Sequence, residues 1–204
     1  MRLILAAAAV ALSFPASAES LDIPSGTYAL DRTHAALVWK VNHLGFSTYT
    51  GMFDKKAIDA TIELDADDVA NSSLTATVDG LSVETLHPRE FDPRDIAFND
   101  EIQSDMFLNT VAFPEITFKS TGIEITGDNT ANIEGELTLN NQTHPFVLET
   151  TLNQAAEHPM LGTPAIGISA TGTFDRTQFG INTLAGPVSA DVTIEIQGEF
   201  ILKQ

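Results

Sequence analysis

Apolar and polar residues alternate one for one through several stretches of this chain. Val188, Ala190, Val192, Ile194 and Ile196 interleave with Ser189, Asp191, Thr193, Glu195 and Gln197. Ile58, Ala60, Ile62 and Leu64 interleave with Asp59, Thr61, Glu63 and Asp65, and Ala131, Ile133, Leu137 and Leu139 with Asn132, Glu134, Glu136 and Thr138. A period of two puts every apolar side chain on one face of an extended strand, whereas a helix would scatter them around its circumference. One buried and one wetted face is the pattern of an antiparallel sheet. Further strands are expected over 34–43, 74–83, 115–125, 145–152 and 165–174, and turn residues at Gly127-Asp128-Asn129, Asn140-Asn141 and Pro159 to Pro164 separate several of them.

About eight strands with almost no helix leave a sandwich or a sheet closed on itself. Long strands expose long edges, and closure removes edges. The reading is therefore all-β: an antiparallel barrel of about eight strands, able to fill its interior with side chains or to hold one small ligand. One helical segment is expected near 99–107, with Asn99 as a cap, Asp100 and Glu101 in the first turn, and Ile102 and Met106 four apart. The stretch 86–94, LHPREFDPR, reads as loop.

The chain opens Met1-Arg2, runs apolar from Leu3 to Phe14, and continues Ala16-Ser17-Ala18 before Glu19. One positive charge, a short apolar core and an A-x-A site compose a secretory signal peptide, expected to be removed after Ala18. The run is too short to span a bilayer, which takes about 20 apolar residues. Residues 19–204 then form a single domain in the periplasm, with no stable membrane insertion. That domain needs no disulfide staples at its size, which suits a chain with no Cys. With 28 Asp and Glu against 10 Lys and Arg, the formal net charge is −18. Nucleic acid is not an expected partner, because binding it takes clustered cations.

His34 and His43 flank the run AALVWKVN. They have opposite parity, and nine extended residues separate them by roughly 30 Å. They cannot chelate one metal; they are two strand ends. His87, His144 and His158 complete the inventory, with no H-E-x-x-H, no G-x-S-x-G and no thiolate site. No catalytic or metal-binding residue is assigned and no cofactor is required.

The ordered residues resemble a known family. Asp31, His34, His43-Leu44-Gly45 and Gly51-x-Phe53 come first; Ser104-Asp105-x-Phe107 and Phe113-Pro114-x-Ile116-Thr117-Phe118 follow with Ser120-Thr121. Gly135-x-Leu137-Thr138-Leu139 and Arg176-x-x-Phe179-Gly180 come last. Together they resemble the YceI-like family of exported bacterial proteins. The resemblance implies a lipocalin-like barrel, an apolar cavity and a bound polyisoprenoid lipid such as an isoprenoid quinone, with no catalytic activity. The chain departs from the family where Asn99-Asp100-Glu101-Ile102-Gln103 stands in place of an R-D-x-H-L opening, so a basic and a histidine position are missing near the expected mouth.

Strand parity and the resemblance together mark a cavity lining. On the 34–43 strand it is Leu37, Trp39 and Val41; Phe107, Phe118, Ile133 and Leu137 follow. Phe146, Leu148, Ile166 and Ile168, then Val192 and Ile194, complete it. Trp39 is either ordinary core or ligand wall, which merge in such a barrel. The small residues Ala165, Gly167, Ser169, Ala170 and Gly172 are expected to leave volume unfilled. Asp31, His34, His43 and Arg176 are candidate head-group or barrel-end polar contacts, with Arg176 paired to Asp31 in one arrangement. The expected function is a carrier for an isoprenoid lipid. A quinone is favoured over a polyprenyl phosphate, because only Lys55-Lys56 are adjacent cations and a buried phosphate needs paired charge. Two alternatives stand beside it: a histidine- or metal-dependent enzyme at the barrel mouth, and a ligand-free module that docks to a membrane redox protein.

Overall fold

A computed structural model describes residues 20–88 and 98–203. Residues 1–18, the expected signal peptide, and most of the 86–94 stretch lie outside the described residues. The strands are β1 (Gly26–Leu30), β2 (Ala36–His43), β3 (Ser47–Phe53), β4 (Ile58–Leu64), β5 (Ser73–Asp79) and β6 (Val83–Glu84). After the helix α1 (Phe98–Gln103) come β7 (Glu115–Gly127), β8 (Thr130–Leu139), β9 (Gln142–His158), β10 (Thr163–Asp175) and β11 (Asp191–Leu202).

All neighbours are antiparallel. Eight strands close in the order β1-β4-β5-β7-β8-β9-β10-β11 and back to β1. The closing strand is shared. Phe200 to Leu202 of β11 pair with β1, while Thr193 to Gln197 pair with β2. Between β1 and β2 the chain steps through a short 3-10 turn, Arg32–His34, capped by the Asp31 carboxylate accepting from Thr33 N. β2 then carries β3 and β6 as a ribbon that leaves the barrel wall. The fold is the expected closed eight-stranded antiparallel barrel with one short helix.

The alternation decides what is buried. In β4, Ile58, Ala60 and Leu64 are buried while Asp59 and Glu63 are not. Two apolar cores result. The larger holds Tyr28, Phe118, Phe146, Ile166, Phe179 and Phe200, and the smaller joins the ribbon to the barrel through Phe53, Ile58, Val78, Val83 and Ile102.

Three expectations are corrected. β1 and β3 were not expected: β1 has only five residues, and Gly51 interrupts the apolar parity of β3. The strand expected over 74–83 is β5 and β6, divided by a 3-10 turn at Gly80–Ser82. The helix ends at Gln103, because Leu108 N donates to Ile102 O and Asn109 N to Ser104 O, folding the chain back. Asn99 lies inside that helix and does not cap it; its Oδ1 accepts from Thr85 N (3.0 Å) and Thr85 Oγ1 (2.6 Å), tying the helix to the segment after β6.

Candidate functional site: an apolar cavity with an aromatic mouth

The barrel's two ends differ. At the end holding the β4–β5 and β7–β8 turns, the N-terminal segment crosses the opening. Leu21 N donates to Ala66 O (2.8 Å), and Leu21 and Ile23 pack on the core. Beneath them Tyr28 is fully buried, its hydroxyl donating to Pro24 O at 2.7 Å. Burial raises the Tyr28 pKa. Only a small cavity of about 100 Å³ remains there.

Toward the other end lies an apolar cavity of about 560 Å³, inside the roughly 300–1,000 Å³ span of small-molecule sites. Leu37, Trp39 and Val41 line it from β2, Phe118 from β7, Leu137 from β8, Phe146 and Leu148 from β9, Ile168 from β10, and Val192 and Ile194 from β11; Phe107 closes one side. Ile133 and Ile166 do not reach it. Both lie nearer the closed end and line the smaller cavity, because the long strands carry inward positions past the floor of the larger one. The wall also takes Phe53, Leu139, Phe174 and Ile181.

Part of this wall is set by glycine. A Cβ on Gly172 would collide with the Phe146 ring, and one on Gly135 with Phe118. Phe118 and Phe146 meet edge to face at 6.1 Å, Phe146 and Phe174 at 5.9 Å, and Phe174 and Phe179 at 5.4 Å, a geometry that contributes about 0.5–1.5 kcal/mol per pair. The volume beside Gly172 is therefore occupied by Phe146. Ala165, Gly167 and Ser169 lie on the opposite parity from the buried Ile166, Ile168 and Ala170, and Ser169 bonds outward to Asn153 and Gln197. Of the small residues of β10, Ala170 lines the cavity, while Ala165, Gly167 and Ser169 lie on the other parity and Gly172 is covered by Phe146.

The mouth is aromatic. Trp39 lies across Gly51, its register partner on β3, where a Cβ would strike the indole. Its ring stacks on Tyr49 (6.0 Å); Tyr49 meets Phe98 (5.8 Å) and Phe98 meets His87 (4.6 Å). All four line the cavity. Trp39 Nε1 and the Tyr49 hydroxyl are buried without a hydrogen bond of ordinary geometry to a described residue. Burial raises the Tyr49 pKa, and an interaction with Thr85 offsets part of that. Tyr49 and Phe98 were not marked by sequence; Tyr49-x-Gly51-x-Phe53 on one parity was the available signal.

The polar candidates separate. Arg176 is buried (4% exposed) and reaches the cavity edge, but its guanidinium is committed. Nε donates to Ser189 O, Nη1 to Ile181 O and Thr183 O, and Nη2 to Val188 O, at 2.7–3.0 Å. Burial lowers its pKa and the neighbouring Asp175 carboxylate partly offsets this. It laces the 181–189 loop and forms no pair with Asp31. Asp31 and His34 are absent from the cavity wall. They pair with each other at 2.8 Å, with Glu199 3.7 Å from the imidazole. His43 stands exposed at the end of β2, on the cavity rim. Among the described residues no group of three His, Cys, Asp or Glu is placed to hold a metal ion, and no helix is long and apolar enough to cross a membrane.

Comparison with known proteins agrees with this architecture. The model of the YceI-like domain matches residues 28–200. Protein YceI of Escherichia coli (strain UMN026) is 33% identical over 85% of this chain and 86% of its own length. Burkholderia cenocepacia BcnA superposes with a TM-score of 0.69 at 19% identity, covering 83% of this chain and 98% of that one. A polyisoprenoid-binding domain from Saccharophagus degradans, implicated in plant cell wall breakdown, superposes with a TM-score of 0.62 at 14% identity over 86% of this chain and 98% of its own.

Proposed function

The chain belongs to the YceI-like family, and on that premise we propose that it is a binding protein, not an enzyme, that carries an isoprenoid lipid in the periplasm after loss of residues 1–18. The observation that carries this reading is the apolar cavity of about 560 Å³. Each methylene moved from water into such a wall contributes about 0.8 kcal/mol, so a long branched tail needs few polar contacts. The fold shared with a polyisoprenoid-binding domain supports the same ligand class.

A neutral head group, a quinone before a polyprenyl phosphate, fits the disposition of charge. Among the described residues, Arg176 is spent on four carbonyls, Lys40 on Glu195 and Arg32 on Asp59, while Lys119 points outward from β7. The mouth instead offers Trp39, Tyr49, His43 and His87. A quinone carbonyl asks for one or two donors; a phosphate taken from water needs paired charge. Organic extraction and mass spectrometry of protein purified from its native compartment tests the class: an isoprenoid in the extract is expected, and an empty barrel refutes it. Competition between a ubiquinone and a polyprenyl pyrophosphate of equal chain length tests the head group. Tighter, salt-sensitive binding of the pyrophosphate overturns the quinone reading.

A further inference from the structure

The β2–β3 hairpin tip and the loop after Phe179 form one continuous rim. Leu44 N donates to Pro187 O (2.7 Å), Ser189 N to Asn42 O (2.9 Å), and His43 bridges to Val188. Three large apolar side chains project from it into solvent: Phe46 (91% exposed), Leu44 (55%) and Leu184 (55%). Leu184, His43 and Val188 also line the cavity, so the projecting surface is continuous with the mouth.

The rim is uncharged, as is the β9–β10 stretch from His158 to Phe174. Residues 41–53 and 177–190 contain no Asp, Glu, Lys or Arg, in a protein with 28 acidic residues and a net charge of −18. The backbone adds a second anomaly. Leu44 (φ 55°) and Leu184 (φ 53°) both occupy the left-handed region, which disfavours any residue with a branched apolar side chain and where Asn or Gly is the usual occupant. Leu44, more than half exposed and held at that cost, points to a role in contact with something else.

We propose that this rim docks on a phospholipid bilayer surface, with Phe46 and Leu44 entering the interfacial region and the cavity mouth facing the lipid. A second copy of the chain is the other occupant an apolar tip invites. Two molecules of −18 repel when brought mouth to mouth, whereas an uncharged wedge lets an acidic protein approach a zwitterionic surface without placing carboxylates there. Docking opens a path for an apolar tail from bilayer to cavity without crossing water. That loading step rests on the lipid-carrier reading; docking does not.

The test is flotation of the folded protein, stripped of lipid, with phosphatidylcholine vesicles and with vesicles of phosphatidylcholine and phosphatidylglycerol. Flotation with the zwitterionic vesicles that is insensitive to salt is expected, weaker on the anionic ones and partly restored there by salt. Phe46→Ser and Leu44→Asn should each lower the partition ratio, Phe46→Ser by roughly tenfold or more. Leu44→Asn suits its backbone conformation, so unchanged or higher unfolding midpoints separate docking from folding. Met160→Ser, at an equally exposed apolar tip (88%) on the β9–β10 hairpin, should change nothing. Wild-type protein that does not float, or flotation that ignores both rim variants, overturns the proposal; so does a concentration-dependent dimer lost in Phe46→Ser. With docking intact, failure of the wild type to extract a ubiquinone from phosphatidylcholine vesicles doped with it refutes the carrier reading alone.

Discussion

At the end of the barrel where β4 turns into β5, Tyr28, Leu64, Leu74 and Ile166 fill the interior and the N-terminal segment covers them. At the other end the same inward parity continues, but the wall opens because β2 pairs outward with β3 instead of with β4. The closed end is packed around Tyr28 and the large core. At the open end, side chains bonded to backbone add to the packing: Arg176 on the 181–189 loop, Asn99 Oδ1 on Thr85 N, and Asn140 Nδ2 on Phe179 O. A loop fixed from behind by polar bonds needs nothing in front of it, so the interior there stays apolar and unfilled. The difference shows how one barrel can be stable at one end and receptive at the other.

The largest expected effect tests the packed end. Tyr28→Ala removes a fully buried ring and should cost about 3–5 kcal/mol in urea unfolding. Val41→Ala, on the cavity wall of the open end, should cost clearly less, because its inner side already lacks neighbours. Equal losses would break the contrast.

Arg176→Lys tests the polar lacing. Lysine keeps the charge but not the planar fork that spans four carbonyls. Acceptors of the loop lose partners, and a loss of about 2–3 kcal/mol is expected, with faster amide exchange concentrated in 181–189. Exchange that rises instead around Tyr28 would mean the two ends are not independently held.

Closure and the inward face were legible in the sequence; the contrast between the two ends was not. Alternation in β4, β8 and β11 gave closure and face, and parity put Leu37, Trp39 and Val41 together. The depth of the cavity was not legible. Ile133 and Phe118 have the same apolar character on adjacent strands, but one lies nearer the plugged end and the other on the larger cavity. Parity gives a side of the sheet, not a height along the barrel. Arg176 was equally opaque: a sequence shows its charge, whereas its partners are backbone carbonyls that any residues could supply. Gly172 read as missing volume, and only the register showed Phe146 filling it.

Gly51→Ala tests the aromatic mouth. The added methyl must displace the Trp39 indole, for a loss of about 1–2 kcal/mol and a red shift of Trp39 emission as the ring leaves its site. Binding of a long-chain isoprenoid should weaken, while Gly122→Ala, at a β7 position where an added methyl meets only Glu134 Oε2 at 3.8 Å, should alter neither. Unchanged emission in Gly51→Ala would place the indole off the wall.

The smallest effect lies at the seam where β1 ends and the ribbon begins. His34 holds the Asp31 carboxyl down to about 2 from an ordinary 3.8, helped by Thr33. The Asp31 hydrogen bond, and then Glu199, raise the His34 pKa above 6.5; Lys55 opposes this weakly. A depressed carboxyl stabilises the fold above its unfolded pKa and loses that contribution as pH falls toward 2. A raised imidazole stabilises below 6.5 and loses it as pH rises through its folded value. Both contributions are therefore complete only between about pH 3.8 and 6.5. His34 is more than half exposed, so solvent screens the pair and the gain is slight. The stability difference between wild type and His34→Ala should peak inside that window and shrink on both sides, and the Asp31 carboxyl resonance should titrate nearer 3.8 in the variant. Because neither residue touches the cavity, isoprenoid affinity should not follow this difference. An affinity that does follow it would tie the seam to the mouth and merge the two ends into one cooperative unit.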